Sequence, residues 1–360
     1  MKTLRLGTTP QDLARAAEIL RSGGLVALPT ETVYGLGANA LDPAAVASIF
    51  TAKQRPSWDP VIVHIAGPQE NPVANNAMLS QIATDIPAAA HDLMTAFWPG
   101  PLTLLLPRTG AVPDSVTAGR PLVGVRMPAH PVAFELIHLA GVPIAAPSAN
   151  LFGHTSPTTA EHVLEDLDGC IDAIVDAGPT RHGVESTVLD PTQNPVVIYR
   201  PGAVTLEEIR TTVGNAALYE SPIQETSPES LPSPGVGIRH YAPHARLILV
   251  ETSEQDLTAA LTKAAKAFPL EPVGVLWPKE FTLWSNKLYD DAPAQVRVYR
   301  WGSWKNPEEL ASRLYAGLRE LDAAGCTIIL CPLPAADGIG AALRDRLYKA
   351  AWKGENKQGA

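Results

Sequence analysis

The chain has 360 residues, enough for two domains, and its 46% hydrophobic and 18% charged residues describe a soluble globular protein with ample apolar surface to bury. A net charge of −9 argues against a broad electrostatic grip on nucleic acid but leaves room for a local basic pocket for phosphates. No apolar run approaches the roughly 18 residues of a membrane span, MKTLRLGTTP is no signal peptide, and Cys170, Cys326 and Cys331 lack disulfide-framework or zinc spacing; a reducing cytoplasmic setting is expected.

The first helix is expected in PQDLARAAEILRSGG, where Leu13, Ala16, Ala17 and Leu20 share a face and Gly23 with Gly24 can end it. LVALPT follows as a short buried strand. LPTETVYGLG carries Thr30, Thr32 and Tyr34 into a strand-to-turn passage, and Gly35 and Gly37 there permit close approach to a ligand. In DPAAVASIF, Asp42 suits an N-cap and Pro43 the first helical position, with Val46, Ile49 and Phe50 turned inward. Lys53 falls at the end of this helix, and Pro56 stops it. KQRPSWDP thus gathers Lys53, Arg55 and Asp59 in one turn. The two cations can complement the helix dipole or converge on a polyphosphate. In VIVHI, His64 shares a face with Ile62, opposite Val61, Val63 and Ile65.

AAHDLMTAF reads as a helix, and PLTLLLP, LVGVRMP and VPIAAPSAN as apolar runs. Gly124 and Arg126 face away from Val123 and Val125. An arginine inside such a strand needs an anion, either an internal carboxylate or a bound carboxylate or phosphate. APSAN, with Ala146 and Ser148, and GHTSP, with Ser156, supply small polar groups suited to phosphates. Thr158 with Glu161 and Thr205 with Glu208 have capping-box spacing for AEHVLEDL and LEEIRTTV. IDAIVDAG, ESTVLD with Ser186, and VVIYRPG with Arg200 read as strands, so residues 1–214 are expected to form a mixed α/β sheet domain.

Residues 215–245 have the Pro- and Ser-rich composition of a linker, yet end in GIRHYAP, whose Arg239, His240 and Tyr241 suit stacking on a ligand. Over residues 246–360, RLILVE, PVGVLW, VRVYRW and CTIILCP alternate with the helical DLTAALTKAAKAF and NPEELASRLYAGLREL. That is the layout of a small Rossmann-like parallel-sheet domain. GIGAALRDRL opens like a dinucleotide fingerprint, but Leu343 replaces its third glycine. No Walker A sequence, catalytic triad or His/Cys metal cluster is recognisable.

PTETVYGLG, KQRP with DPVIVHI, FWPGPLTLLL, VGVRMP, APSAN with SPTTA, GVESTVLD and YRPGAV follow one another in this order. Together they resemble the L-threonylcarbamoyladenylate synthases of the two-domain type, with a YrdC-like domain. SPGVGIRHYAP and GIGAALRDRLYKAA extend the likeness to nearly the whole chain. The resemblance implies a nucleotidyltransferase that converts L-threonine, bicarbonate and ATP into threonylcarbamoyl-AMP and pyrophosphate. Mg2+ would assist with ATP, with no direct ligation by protein. The product would pass to a tRNA threonylcarbamoyl transferase acting on the adenosine beside the anticodon, with at most a weak tRNA contact and no membrane.

By the same resemblance, Thr32, Tyr34, His64, Arg126, Ala146 and Ser186 line the threonine site. Arg55, Asp59, Leu122, Ser148, Ser156, Arg200, His240 and Tyr241 contact ATP, the last two by folding back from the linker. Lys53 and Arg55 supply the catalytic charge. Two positions depart from the family: Asp59 stands where asparagine is usual, and Leu122 where threonine is frequent. The rival expectations are an RNA-binding module without catalysis, a ligand-binding protein that has lost catalysis, and a carbamoyl-transfer module of the hydrogenase-maturation type. Chains of that last type carry paired CxxC zinc motifs, which this sequence lacks.

Overall fold

The computed structural model describes residues 2–68, 76–220, 233, 241–281 and 296–351. The chain divides into two compact units, Met1–Phe152 with Ser156–Gly237, and Gly153–Thr155 with Ile238–Ala360.

The strands of the first unit are β1 (Leu4–Leu6), β2 (Val26–Leu28), β3 (Gly35–Asn39), β4 (Ile62–His64), β5 (Leu102–Pro107), β6 (Leu122–Arg126), β7 (Ile144–Ala145), β8 (Ala173–Val175), β9 (Thr187–Asp190), β10 (Val196–Arg200) and β11 (Ala216–Leu218). Its helices are α1 (Pro10–Arg21), α2 (Pro43–Lys53), α3 (Ala77–Ile82), α4 (Ala88–Phe97), α5 (Asp114–Thr117), α6 (Pro131–Ala140), α7 (Ala160–Leu167) and α8 (Leu206–Val213). Among the described residues the strands form one mixed sheet in the order β1-β8-β2-β3-β7-β4-β6-β5-β9-β10-β11.

Local chemistry sets the helix ends. Asp42 Oδ1 accepts from the Ala44 and Ala45 amides at the start of α2, and Pro43 takes the first position. The helix ends at Lys53 because Gln54 turns left-handed, with φ 51°. Thr205 and Glu208 form the expected capping box of α8. The other expected box is displaced by one residue: Thr159, and not Thr158, caps α7 by accepting from the His162 amide. Thr158 instead packs its hydroxyl 3.3 Å from His162 Nδ1, and its carbonyl accepts from Thr180.

Two differences concern strands. The glycine-rich turn expected after LPTETVY is β3, antiparallel to both β2 and β7. An added Cβ at Gly37 would lie 2.8 Å from Leu28 Cδ2 and 3.1 Å from the Val26 carbonyl oxygen, so the pairing is tight at this point. Beyond Gly214, where the composition turns linker-like, β11 adds a further strand parallel to β10.

The central strands have two different faces. Val61, Val63, Leu102, Leu104, Val123, Val125 and Leu189 enter the main core with Ile49, Leu93, Met94 and Val163 from the helices. The opposite face carries a small apolar floor of Ile62, Leu105 and Val188, joined by Leu122 and Tyr199. Strict alternation places His64, Thr103, Arg126 and Ser186 on that second face.

In the second unit, β12 (Arg246–Val250), β13 (Val273–Pro278), β14 (Val296–Gly302) and β15 (Ile328–Pro332) pair in parallel in the order β12-β15-β13-β14. They pack with α9 (Leu257–Lys266), α10 (Pro307–Ala323) and α11 (Gly340–Ala351). Asn306 caps α10, with Pro307 at its first position. GIGAALRDRL, the fingerprint look-alike, supplies most of α11. Tyr241 lies in this unit, buried, with its ring stacked on Tyr315 at 5.9 Å and under the Arg346 guanidinium at 5.2 Å. His240 falls outside the described residues. No described helix is long and apolar enough to cross a membrane.

Candidate active site

Two clusters of buried charge lie on the first unit. One is built where α2 ends. Lys53 is 1% exposed, and its ammonium donates to the carbonyls of Ser148, at 2.6 Å, and Asn150. Burial, and then the neighbouring Arg55, push this ammonium well below its ordinary pKa. Lys53 therefore ties α2 to the 146–150 loop. The loop is also fixed by backbone bonds from Leu36 to Pro147 and from Ala149 to Tyr34.

Arg55, two residues on, wraps over its own turn. It donates from Nε to the Asp59 carbonyl and from Nη2 to the Pro60 carbonyl, and Nη2 lies 3.0 Å from Asp59 Oδ1. Its guanidinium also sits 6.0 Å over the Phe152 ring, against which Trp58 packs edge-on. Asp59 is fully buried. Burial raises its carboxyl pKa, while Arg55, Lys53 and Arg200 oppose the shift. The carboxylate at this atypical position is thus turned onto an arginine.

The second cluster answers what partners Arg126. Its Nη2 lies 2.6 Å from Glu31 Oε1, with both side chains under a tenth exposed. Its Nη1 donates to Thr32 Oγ1 at 2.8 Å and its Nε to the Gly100 carbonyl at 3.1 Å. Proton directions follow from the neighbours. Thr30 Oγ1 donates to the Val33 carbonyl, so in its 2.8 Å contact with Thr32 the Thr32 hydroxyl is the donor. Burial pushes the Glu31 carboxyl up, but the Arg126 charge and hydrogen bond outweigh this and hold it below its usual value.

His64 pairs in register with Arg126 across β4 and β6. Burial first, then the Arg126 charge, lower its pKa to about 3, so the ring is neutral. Its Nδ1 has no hydrogen-bond partner among the described residues.

A bridge of polar groups continues along the same face. Arg200 holds Ser186 twice, through the carbonyl at 3.0 Å and the hydroxyl at 3.1 Å, while Thr103 Oγ1 lies 2.8 Å from the same hydroxyl. Ser156 donates to Glu185 at 2.5 Å. Gly202 makes this packing possible, because a Cβ there would stand 2.3 Å from the Thr187 nitrogen.

The residues expected from the sequence thus fall into groups. Thr32, His64 and Arg126 come together; Arg55, Asp59, Lys53 and the Ser148 backbone come together; Ser186 and Arg200 form a third group. Ala146 donates its amide to the Ile62 carbonyl, which puts it against β4. Tyr34 points elsewhere: its buried ring sends the hydroxyl to the Gly178 carbonyl at 2.7 Å, and burial pushes its pKa to about 12. Leu122 packs into the apolar floor. Sequence reasoning passed over Glu31, Thr103 and Glu185. The signal for Glu31 and Glu185 was an acid inside an otherwise buried motif, PTET and VEST.

A mixed sheet with buried arginines at its strand ends and a buried lysine at a helix end, together with a separate parallel-sheet domain, defines a two-domain α/β protein. A Sua5/YciO/YrdC family profile described as telomere recombination matches residues 18–202, and one described as the threonylcarbamoyl-AMP synthase C-terminal domain matches residues 204–352. The chain is 43% identical to the threonylcarbamoyl-AMP synthase of Pyrococcus abyssi, across 93% of this chain and 92% of that one. It is 41% identical to that of Bacillus subtilis, across 97% and 95%. The crystal structure of P. abyssi Sua5 complexed with L-threonine superposes with a TM-score of 0.86 at 40% identity, covering 98% of each chain. The chain belongs to the Sua5/YrdC–YciO family of threonylcarbamoyl-AMP synthases.

Proposed function

We propose that this chain makes threonylcarbamoyl-AMP from L-threonine, bicarbonate and ATP, by the division of labour that its two charge clusters suggest. The observation that carries the assignment of roles is the pair of separate buried cation sites in one unit, Arg126 in one and Lys53 with Arg55 in the other. One suits an amino-acid carboxylate and the other a polyphosphate.

Threonine takes the site of Thr32, His64, Arg126, Ala146 and Ser186. Its amine attacks carbon dioxide derived from bicarbonate; a C–N bond forms and the nitrogen gives up a proton. An oxygen of the resulting carbamate then attacks the α-phosphorus of ATP, and the bond to the bridging oxygen breaks as pyrophosphate leaves with the electron pair. Such a displacement needs positioning and charge neutralisation, and no covalent enzyme intermediate. Arg55, Ser148, Ser156 and Arg200 hold the nucleotide. Lys53, whose ammonium holds the Ser148 and Asn150 carbonyls, adds positive charge near the phosphates.

Asp59 contributes through Arg55, and Leu122 only through its main chain. Mg2+ enters as MgATP, carried by the phosphates. The product is a reactive mixed anhydride, to be consumed by a tRNA-modifying transferase in the cytoplasm, a setting with which the three free thiols agree.

The test is pyrophosphate release by the purified protein with MgATP, leaving out threonine and bicarbonate in turn, with mass spectrometry of the quenched mixture. Release that needs both, with the adduct present, is the expected result. Threonine-independent release, or none despite measurable binding of ATP and threonine, would overturn the proposal.

A further inference from the structure

Arg126 is already paired within the chain. A substrate carboxylate that approaches it also approaches the Glu31 carboxylate 2.6 Å away. A guanidinium has five N–H donors. Gly100, Thr32 and Glu31 engage three of them, which leaves two for an incoming carboxylate.

Glu31 is 6% exposed, and its carboxylate is held by Arg126 and by the backbone amides of Glu31 and Ala129. The other titratable groups around it are His64, His130 and His182, and burial lowers the pKa of each ring. At neutral pH the charge of this pocket therefore rests on one arginine and one glutamate. Both are fixed by backbone as well as by each other: the Glu31 carbonyl accepts from the His182 amide at 2.8 Å, and that of Arg126 from the Ile65 amide at 2.9 Å.

A lone carboxylate entering this pocket would leave two acids on one arginine. A lone ammonium would bring a second cation beside Arg126. An α-amino acid zwitterion adds no net charge, and it can satisfy both partners at once. Resting on the reading of this pocket as the threonine site, we propose that Glu31 is a substrate-binding residue that receives the α-ammonium of the amino acid while Arg126 receives its carboxylate. The buried Glu31–Arg126 pair thereby selects zwitterions.

The consequence is a discrimination between threonine and its one-charge analogues. Breaking a buried charge balance carries a large penalty, so the wild-type chain should bind threonine at least about 100-fold more tightly than either L-threoninol, which lacks the carboxylate, or the α-hydroxy analogue, which lacks the amine. In Glu31→Gln the preference for threonine over the hydroxy acid should collapse to within about threefold, while the preference over threoninol persists.

Isothermal titration of the full-length protein with the three compounds, without ATP, reads these ratios. Wild-type affinity for the hydroxy acid equal to that for threonine would overturn the proposal even if Glu31→Gln fails to fold, and so would the absence of any threonine binding. Equal loss of affinity for threonine and the hydroxy acid in Glu31→Gln would also overturn it, since Glu31 would then merely hold Arg126. Because no ATP is present, a chain that shows the predicted ratios but releases no pyrophosphate refutes the proposed reaction and leaves this assignment standing.

Discussion

The Arg55 guanidinium lies 3.0 Å from the Asp59 carboxylate, four residues on, and the two are sealed from water together. Asp59 therefore sets how much of the Arg55 charge is left to face a phosphate. Asp59→Ala should strand a buried cation and lower unfolding free energy by about 3–5 kcal/mol. Asp59→Asn keeps the shape and an acceptor. It should lower the KM for ATP by roughly 2- to 5-fold, because Arg55 is no longer neutralised. Urea unfolding and initial rates of pyrophosphate release measure the two effects; an unchanged or raised KM in Asp59→Asn would show that Arg55 does not face ATP.

Lys53 acts through the loop it holds. Lys53→Met removes the donor to the Ser148 and Asn150 carbonyls, each of which then costs about 1–3 kcal/mol if unmet, while a buried cation is relieved. Stability should change by less than about 2 kcal/mol. Amide exchange across residues 148–150 should rise, and the KM for ATP should rise at least about tenfold. Unaltered exchange would mean that Lys53 does not position the loop.

Gly202 is required by space. Gly202→Ala would push a methyl group to 2.3 Å from the Thr187 nitrogen and 2.6 Å from the Ser186 carbonyl carbon. We expect a loss of about 1–3 kcal/mol, with weaker threonine binding as Ser186 shifts. Gly110→Ala serves as the control: an added Cβ there meets nothing within 4 Å and should change stability by less than about 0.5 kcal/mol. Chemical denaturation of both variants makes the comparison, and equal stabilities would refute the packing argument.

His64 gives stability a pH dependence of known sign. Its pKa is about 3 in the folded chain against an ordinary 6.5, so the unfolded state binds the extra proton between these values. Stability from this group is complete above pH 6.5 and is lost as pH falls toward 3. Glu31, also lowered, contributes in the same direction, but only below its ordinary value of 4.5. Between pH 6 and 5 the His64→Gln variant should therefore show a slope shallower than wild type by about 1 kcal/mol per pH unit. Parallel slopes would show that His64 is protonated in the folded chain.

Much of this molecule is determined by local chemistry, and that part can be read from the sequence. Asp42 and Pro43 begin α2, the Thr205–Glu208 box begins α8, and the alternation in VGVRMP turns Arg126 away from the core, because each depends on residues at most four apart. The need of Arg126 for an anion was equally legible, since the cost of a buried charge does not depend on the fold. Which anion meets it was not. Glu31 lies 95 positions earlier, and only the packing of β6 beside β4 and the segment after β2 brings the acid and the base together. The same holds for Asp59 turning onto Arg55, for Tyr34 turning to Gly178, and for Thr103 meeting Ser186. Sequence determines which side chains require a partner; the tertiary structure decides the partner, because electrostatic and hydrogen-bond energies depend on distances that chain order does not contain.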